Sequence, residues 1–144
     1  MKVAANVDIG KTPVIISESI EFASRTKWVA ERQIADKLLE DWRLDLESKN
    51  INRILANYSR NFKNLQGDNL NAWLPKQTFN FDNDQFPTIK LRDITQFRYP
   101  GKDDIIVTTF TQDTSLGKNR QSVRKRQYWL REAARWRIVY EANV

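Results

Sequence analysis

The stretch RKRQYWLREAARWRIVYE, from Arg124 to Glu141, decides the fold of this chain. Two runs that mix arginines with aromatic and aliphatic residues meet at a short break, Glu132 to Ala134. Runs with a period of two are typical of β-strands, and a break of this length between them predicts a β-hairpin. We therefore expect the chain to close its sheet with two antiparallel strands.

Two further strands are predicted upstream of this hairpin. The pattern has a period of two from Ile89 to Tyr99, which predicts a strand. The Pro-Gly dipeptide at residues 100–101 predicts the next turn. Ile105 to Thr111 is a short apolar run that suits an interior strand. Asp113 to Asn119 predicts another turn, so the four strands form an antiparallel meander.

Helical patterns precede the strands. Apolar residues recur at four-residue steps between Lys27 and Leu46, which predicts a long amphipathic helix that ends near Ser48. Residues 1–24 show no strong period, and we interpret them as a tail or linker from an upstream domain. The folded domain is expected to cover residues 25–144. The predicted apolar stripe of the helix consists of Ile34, Leu38, Trp42 and Leu46, widened by Ala35 and Leu39.

Two shorter helices are expected next. Asn50 can cap the first of them, because its side chain accepts hydrogen bonds from the free amides of the first turn. The second runs from Leu70 to about Phe79 around Trp73, with a kink or break expected near Trp73 because of Pro75. The predicted buried face of the capped helix is Ile51, Ile54, Leu55 and Tyr58, with Phe62 just beyond.

Three helices followed by four strands predict an α+β domain in which the long helix covers one face of a curved antiparallel sheet. Such a sheet is an open cone. A chain of 144 residues suits a single domain of this kind.

Composition excludes several chemistries. The chain contains neither cysteine nor histidine, which removes a thiol nucleophile, a Ser-His pair and the usual zinc ligand sets. We expect no metal and no cofactor. The longest apolar runs are too short for a membrane span.

The net charge of +6 is concentrated in one region. Residues 115–137 contain eight basic residues and one acid, Glu132. Such a patch can attract nucleic acid, an anionic membrane or a polyanionic wall polymer, but a solvated strand face is the simpler explanation.

The order of helices and curved sheet, with a closing strand RWRIVYE, resembles the nuclear transport factor 2-like (NTF2-like, SnoaL-like) superfamily. Three blocks are similar to the accessory domain at the C-terminus of many bacterial L,D-transpeptidase-family proteins. These blocks are Leu38 to Phe62, Ile94 to Asp104 and Arg124 to Glu141. The segment PVIISESIEF, Pro13 to Phe22, also looks like the link that leaves the catalytic domain in such proteins.

This resemblance implies a periplasmic, cell-envelope protein in which the present chain has a non-catalytic role. Transpeptidases of that family attack with a cysteine in an S/T-H-G-C type motif near a further histidine, so their activity cannot be carried over to any position here. The implied partners are an upstream catalytic domain of the same protein, peptidoglycan or an envelope protein, and a second copy of the chain.

The first functional hypothesis is a binding or positioning module. Tyr58, Trp73, Tyr128 and Trp129 are candidates to line a pocket between the long helix and the sheet. Arg124 and Arg126 can bind carboxylates of a peptide stem by paired hydrogen bonds. Strict alternation places Tyr128 with these arginines on one face and Trp129 with Lys125 on the other. Core packing of the aromatics and solvation of the arginines remain the simpler readings.

Three alternatives stay open. One is a pocket enzyme of the SnoaL or ketosteroid-isomerase type, for which Asp93 is the only acid at a plausible inward position. Another is nucleic-acid binding through the hairpin aromatics Tyr128, Trp129 and Trp136, although no recognition motif supports it and we expect no nucleic-acid partner. The last is a homodimer formed through the outer face of the sheet.

Overall fold

The computed structural model describes residues 32–77 and 84–144. The chain divides between Ile34 and Ala35, and the unit described below is Ala35–Val144. The predicted tail, residues 1–24, and the predicted start of the first helix lie outside the described residues. The domain boundary at residue 25 therefore stays a prediction.

The first helix, α1, covers residues 32–48, and its end agrees with the prediction. Its buried stripe differs slightly from the expected one, because Ile34 is 39% exposed. A helix has 3.6 residues per turn, so strict four-residue steps drift around its surface, whereas mixed steps of three and four stay on one face. The buried residues are Ala35, Leu39, Trp42 and Leu46.

The second helix, α2, is Ile51–Leu55, and Asn50 caps it as predicted, since its side chain accepts from the Arg53 amide at 3.1 Å. The prediction that Tyr58 belongs to this helix is wrong. Tyr58 opens a strand, β1, Tyr58–Asn64, which also contains Phe62. A spacing of four residues fits both a helix turn and the period of a strand, so the pattern could not separate the two.

The third helix, α3, is Leu70–Trp73, and a 3₁₀ turn, Leu74–Lys76, continues it. The break expected near Trp73 is confirmed, with Pro75 in the first turn of the 3₁₀ segment. The helix is shorter than predicted. The rest of the predicted segment lies partly outside the described residues.

The sheet has five strands in the order β1-β5-β4-β3-β2. The predicted α+β class holds, but the expected four-stranded antiparallel sheet is wrong in one respect: β1 joins it as a fifth strand parallel to β5. The predicted turn at residues 113–119 is also too long, because β3 continues to Leu116. The other strands are β2, Thr88–Arg98; β3, Ile105–Leu116; β4, Asn119–Glu132; and β5, Arg135–Asn143.

The inner face of the sheet carries the core and lies under α1. Trp42 of α1 packs on Phe110 of β3 with ring centroids 5.4 Å apart, and Trp129 and Ile138 are fully buried beside them. β3 lies between β2 and β4, as expected of its apolar run. Register shifts in β2 and β5 add residues to these strands, and such bulges bend a sheet.

The closing hairpin is confirmed. Glu132 pairs with Arg135, which leaves Ala133 and Ala134 as a two-residue turn. Ala133 has φ 57°, a left-handed conformation that disfavours a Cβ atom.

We expect Ala133→Gly to stabilise the chain by up to about 1 kcal/mol, because glycine adopts this conformation without steric cost. Ala134→Gly is the matched control, since Ala134 is not among the described residues with positive φ. It should destabilise by a few tenths to about 1 kcal/mol. Urea unfolding measures both, and equal effects of the two changes would contradict this geometry.

Candidate functional site

A cavity of about 290 Å³ lies within the unit Ala35–Val144, beside α1, β1 and α3, and is also lined by residues of β3, β4 and the end of β5. Its wall is part aromatic and part polar. The lining residues are Trp42, Leu46, Tyr58, Asn64, Gln66, Asp68, Trp73, Lys76, Gln77, Gln112, Lys125, Glu141, Ala142 and Asn143.

Three rings pack together on the aromatic side of this cavity, and two of them, Tyr58 and Trp73, line it. The Tyr58 and Trp73 ring centroids are 4.7 Å apart, and Phe62 contacts both rings at 5.1 and 5.3 Å. Phe62 and Tyr58 come from β1, whereas Trp73 comes from α3. Edge-to-face and tilted contacts of this kind are favourable, so the rings hold one another in place.

Glu141 is the centre of a buried polar network in this cavity and is 4% exposed. Its Oε1 atom accepts hydrogen bonds from the Tyr58 hydroxyl at 3.1 Å and from Gln127 Nε2 at 2.9 Å. Its Oε2 atom lies 3.3 Å from Lys125 Nζ. The Tyr58 oxygen accepts in turn from Trp42 Nε1 at 3.0 Å. Both carboxylate oxygens are therefore engaged within the protein.

The network fixes the protonation state of Tyr58. Burial raises the pKa of the Tyr58 hydroxyl well above its ordinary value, and the neighbouring Glu141 charge raises it further. Lys125 stays close to both Glu141 and the Trp42 ring, whose centroid is 5.6 Å from Nζ. A buried ion pair of this type tolerates the loss of one partner poorly, because an uncompensated charge is left in the interior.

Gln112 lies in the cavity wall and carries one buried, unsatisfied polar atom. The residue is 4% exposed, and Nε2 donates to Thr114 Oγ1 at 3.0 Å. Its Oε1 atom is buried and has no hydrogen-bond partner among the residues that the structure describes. An unpaired buried acceptor is costly, so this atom lowers the stability of the fold.

A second ion pair lies elsewhere in the cavity wall. Lys76 Nζ is 2.9 Å from Asp68 Oδ2, and Asn64 Nδ2 donates to the same oxygen at 3.1 Å. Hydrogen bonds from Lys76 and Asn64 lower the pKa of Asp68. The lining residues thus comprise two carboxylates and two ammonium groups, and their charges cancel.

The structure separates the five residues predicted to bind. Tyr58 and Trp73 line the cavity together. The other three, Arg124, Arg126 and Tyr128, pair in register with Thr111, Thr109 and Val107 of β3, on the opposite face from Lys125. Trp129 is fully buried in the core, where its Nε1 donates to Thr108 Oγ1 at 3.1 Å. The alternation predicted for β4 thus holds, and it divides the candidates between two faces.

The outer face of the sheet joins an aromatic cluster to two arginines. The Tyr128 ring contacts Tyr99 at 5.9 Å and Tyr140 at 5.4 Å between centroids. Arg126 Nε donates to Thr109 Oγ1 at 3.0 Å, and Arg124 donates to the Asp93 carbonyl at 2.7 Å. These recorded contacts involve neutral acceptors.

The hypothesis of an inward Asp93 is wrong. Asp93 lies at the bulge of β2 with φ 52°, and its side chain is 69% exposed and 3.1 Å from Arg92. The bulge breaks the alternation that would have turned Asp93 inward beside Leu91.

A bulge also explains why Glu141 was missed. Strict alternation from Ile138 assigns Glu141 to the opposite face, but the register shift in β5 brings it opposite Gln127 on the inner face. Lys125 and Gln112 were missed for another reason: buried polar residues on a strand look like ordinary solvent-facing ones in sequence. One signal for Lys125 was available in the sequence: strict alternation along β4 places it on the same face as Trp129, which is the inner face.

Residues 34–142 match the sequence profile of a protein family, the Cds6 C-terminal NTF2-like domain. The chain belongs to this NTF2-like family. The NTF2-like fold expected from the residues is thereby confirmed. No curated protein matches the chain.

Solved structures share the fold at low sequence identity. Bd1075 of Bdellovibrio bacteriovorus is similar with a TM-score of 0.65 and 20% identity over 78% of this chain and 41% of that protein. The helical cell shape determining protein Pgp2 of Campylobacter jejuni, as its K307A mutant, is similar with a TM-score of 0.62 and 18% identity. The match covers 72% of this chain and 37% of that protein. An NTF2-like protein of unknown function from Pseudomonas putida is similar with a TM-score of 0.63 and 13% identity. The match covers 80% of this chain and 86% of that protein.

This chain therefore spans about two fifths of the Bdellovibrio and Campylobacter proteins. Within residues 32–77 and 84–144, no helix is long and apolar enough to cross a membrane.

We expect Glu141→Gln to destabilise the NTF2-like domain by about 3–5 kcal/mol, because Lys125 would lose its charge partner in the interior. The double variant Glu141→Gln with Lys125→Met should recover most of this loss. Asp41→Asn, which breaks an exposed pair with Lys37, is the control and should change little. Urea unfolding of the wild type, of each single variant, Glu141→Gln and Lys125→Met, and of the double variant gives the cycle, and additive losses in the double variant would contradict a coupled pair.

Tyr58→Phe tests the raised pKa. Because the folded-state pKa of Tyr58 lies above the unfolded value near 10.0, the wild type should lose about 1.4 kcal/mol of stability per pH unit above pH 10 through this group. Below pH 10 both states are protonated and this term is absent. The Phe variant lacks the term, so its stability deficit at pH 8 should shrink by pH 11. A constant deficit would show that Tyr58 titrates normally.

Proposed function

We propose that the chain is a non-catalytic accessory domain of a periplasmic cell-envelope protein. Its cavity binds a fragment of the cell wall, and the domain thereby positions an upstream catalytic domain of the same protein. The proposal joins the resemblance carried by the residues to the character of the cavity. Its aromatic wall and few placed polar groups are typical of small-molecule binding sites.

The main support for a non-catalytic role is that both carboxylate oxygens of Glu141 already have hydrogen-bond or ion-pair partners within the protein. A general base must take a proton from a substrate, and it does so through an oxygen within hydrogen-bond reach of that substrate. The Glu141 oxygens already contact Tyr58, Gln127 and Lys125. This arrangement favours a rigid binding wall over a working acid–base pair.

The printed description of the Campylobacter relative, a helical cell shape determining protein, supports an envelope role. Its length also supports an accessory role, since the present chain covers 37% of that protein. Cysteine and histidine are absent from the chain, so a transpeptidase-type reaction would have to be performed elsewhere in the parent protein.

A pocket enzyme acting on a small molecule is the second candidate. The Tyr58 hydroxyl beside the Glu141 carboxylate is the observation in its favour, because a carboxylate and a tyrosine donor in an apolar site are the parts of a ketosteroid-isomerase-like reaction. It would require Glu141 to leave Lys125 and Gln127 during turnover.

Cosedimentation with purified peptidoglycan sacculi tests the proposal. We expect the wild-type chain to sediment with the sacculi and to resist moderate salt, since the cavity has no net charge. Trp73→Leu should reduce the bound fraction severalfold. The matched control is Arg124→Gln with Arg126→Gln, which changes the outer face only and should bind like the wild type.

Two results would overturn the proposal. One is no binding by the wild-type chain. The other is binding that the arginine variant loses and Trp73→Leu keeps, which would assign the interaction to a cationic surface.

A further inference from the structure

We propose that the cavity binds a zwitterionic amino-acid group, in which an ammonium and a carboxylate are attached to one carbon atom, and that Lys76 and Asp68 are the residues that recognise it. This inference rests on the proposed function and narrows its ligand class. It follows from the exposure of this ion pair, from its unused hydrogen-bonding groups and from the aromatic side of the cavity.

Two ion pairs line the cavity, and only one of them is accessible. The side chains of Lys125 and Glu141 are 10% and 4% exposed, and both Glu141 oxygens are engaged. The side chains of Lys76 and Asp68 are 66% and 18% exposed. A charged ligand can therefore be bound at the second pair while the interior pair stays closed.

The Lys76–Asp68 pair has unused hydrogen-bonding groups. Lys76 Nζ and Asn64 Nδ2 both donate to Oδ2 of Asp68, at 2.9 and 3.1 Å. The Oδ1 atom accepts no hydrogen bond from the residues that the structure describes, and it is not one of their buried unsatisfied atoms, so it is open to solvent. An ammonium carries three donors, of which Lys76 uses one on Asp68. A ligand can thus bind both partners without separating them.

Opposite charges side by side select a ligand that carries both signs. A lone carboxylate attracted to Lys76 is repelled by Asp68, whose oxygen lies 2.9 Å from the ammonium, and a lone ammonium meets the converse repulsion. An ammonium and a carboxylate on one carbon can each lie beside the opposite charge. Such a ligand is neutral overall, as the lining of the cavity is.

Gln77 supplies a further acceptor for the ammonium of the ligand. It lines the cavity, and its Nε2 donates to the Trp73 carbonyl at 2.8 Å. Its Oε1 atom is not among the buried unsatisfied atoms of the described residues, so it is accessible to a donor.

The aromatic side and the volume of the cavity limit the rest of the ligand. Tyr58 and Trp73 line the cavity and give it apolar ring surface. A volume of about 290 Å³ lies at the lower end of small-molecule sites, which run from roughly 300 to 1,000 Å³. An amino acid with a short hydrocarbon chain is a ligand of this scale.

Heteronuclear NMR titration of the full chain with diaminopimelic acid tests the inference, because this probe has an ammonium and a carboxylate at each end of a hydrocarbon chain. The comparison ligands are 1,5-diaminopentane, which lacks the carboxylates, and pimelic acid, which lacks the ammonium groups. We expect saturable shifts of the Trp73 indole and Gln77 side-chain amide signals with diaminopimelic acid, and at least tenfold weaker binding of the other two. Equal binding of either comparison ligand, or no binding of diaminopimelic acid, would overturn the inference.

Lys76→Met is the decisive variant, because it removes the charge of an exposed side chain and leaves Asp68 in place. It should weaken the binding of diaminopimelic acid at least tenfold and strengthen that of 1,5-diaminopentane, since the repulsive ammonium is gone. Lys37→Met, which breaks another exposed Lys–Asp pair outside the cavity, is the matched control and should bind like the wild type. A Lys76→Met variant with unchanged preference among the three ligands would contradict the assignment.

The result separates this inference from the proposed function. If the wild-type chain sediments with sacculi but diaminopimelic acid neither binds nor competes, the amino-acid assignment is wrong and the accessory role stands. If diaminopimelic acid binds but sacculi do not, the wall-binding role is wrong and the ligand is a free amino acid. If neither binds, both proposals are wrong.

Discussion

The buried carboxylate of Glu141 is the interaction on which the rest of the structure depends. It connects β5 to β4 through Gln127 and Lys125, to β1 through Tyr58, and through Tyr58 to Trp42 of α1. A charge at this depth is stable only because these groups surround it. Four residues of this network also line the cavity: Trp42, Tyr58, Lys125 and Glu141.

Sequence patterns predicted the elements well where the period was unambiguous. The closing hairpin, the interior strand β3, the end of α1 and the Asn50 cap agree with the structure. Tyr58 was assigned to a helix, with Phe62 just beyond it, because a four-residue spacing fits two periods, and this error removed one strand from the predicted sheet. The parallel pairing of β1 with β5 depends on a contact distant in sequence, which local pattern cannot reveal.

The candidate site was only half predictable, for a physical reason. Aromatic residues such as Tyr58 and Trp73 are natural candidates for any pocket. Strict alternation, however, places Glu141 on the outer face and Asp93 on the inner one, whereas the bulges in β5 and β2 place Glu141 inside and Asp93 in solvent. A bulge inserts one residue and reverses the faces beyond it. Arg124 and Arg126 are prominent in the sequence, yet they lie on the outer face, away from the cavity. The polar groups that give the cavity its character, Lys125 and Gln112, resemble solvent-exposed strand residues until the fold is known.

We describe the cavity as a preformed, electrically neutral binding site with Tyr58, Trp73 and the Glu141 network in its wall. A crystal structure of the chain grown with soluble peptidoglycan fragments tests this most directly. We predict a fragment in the cavity, in contact with the Trp73 ring. A cavity that contains only water, with the fragment absent or bound among the outer-face arginines, would contradict this description.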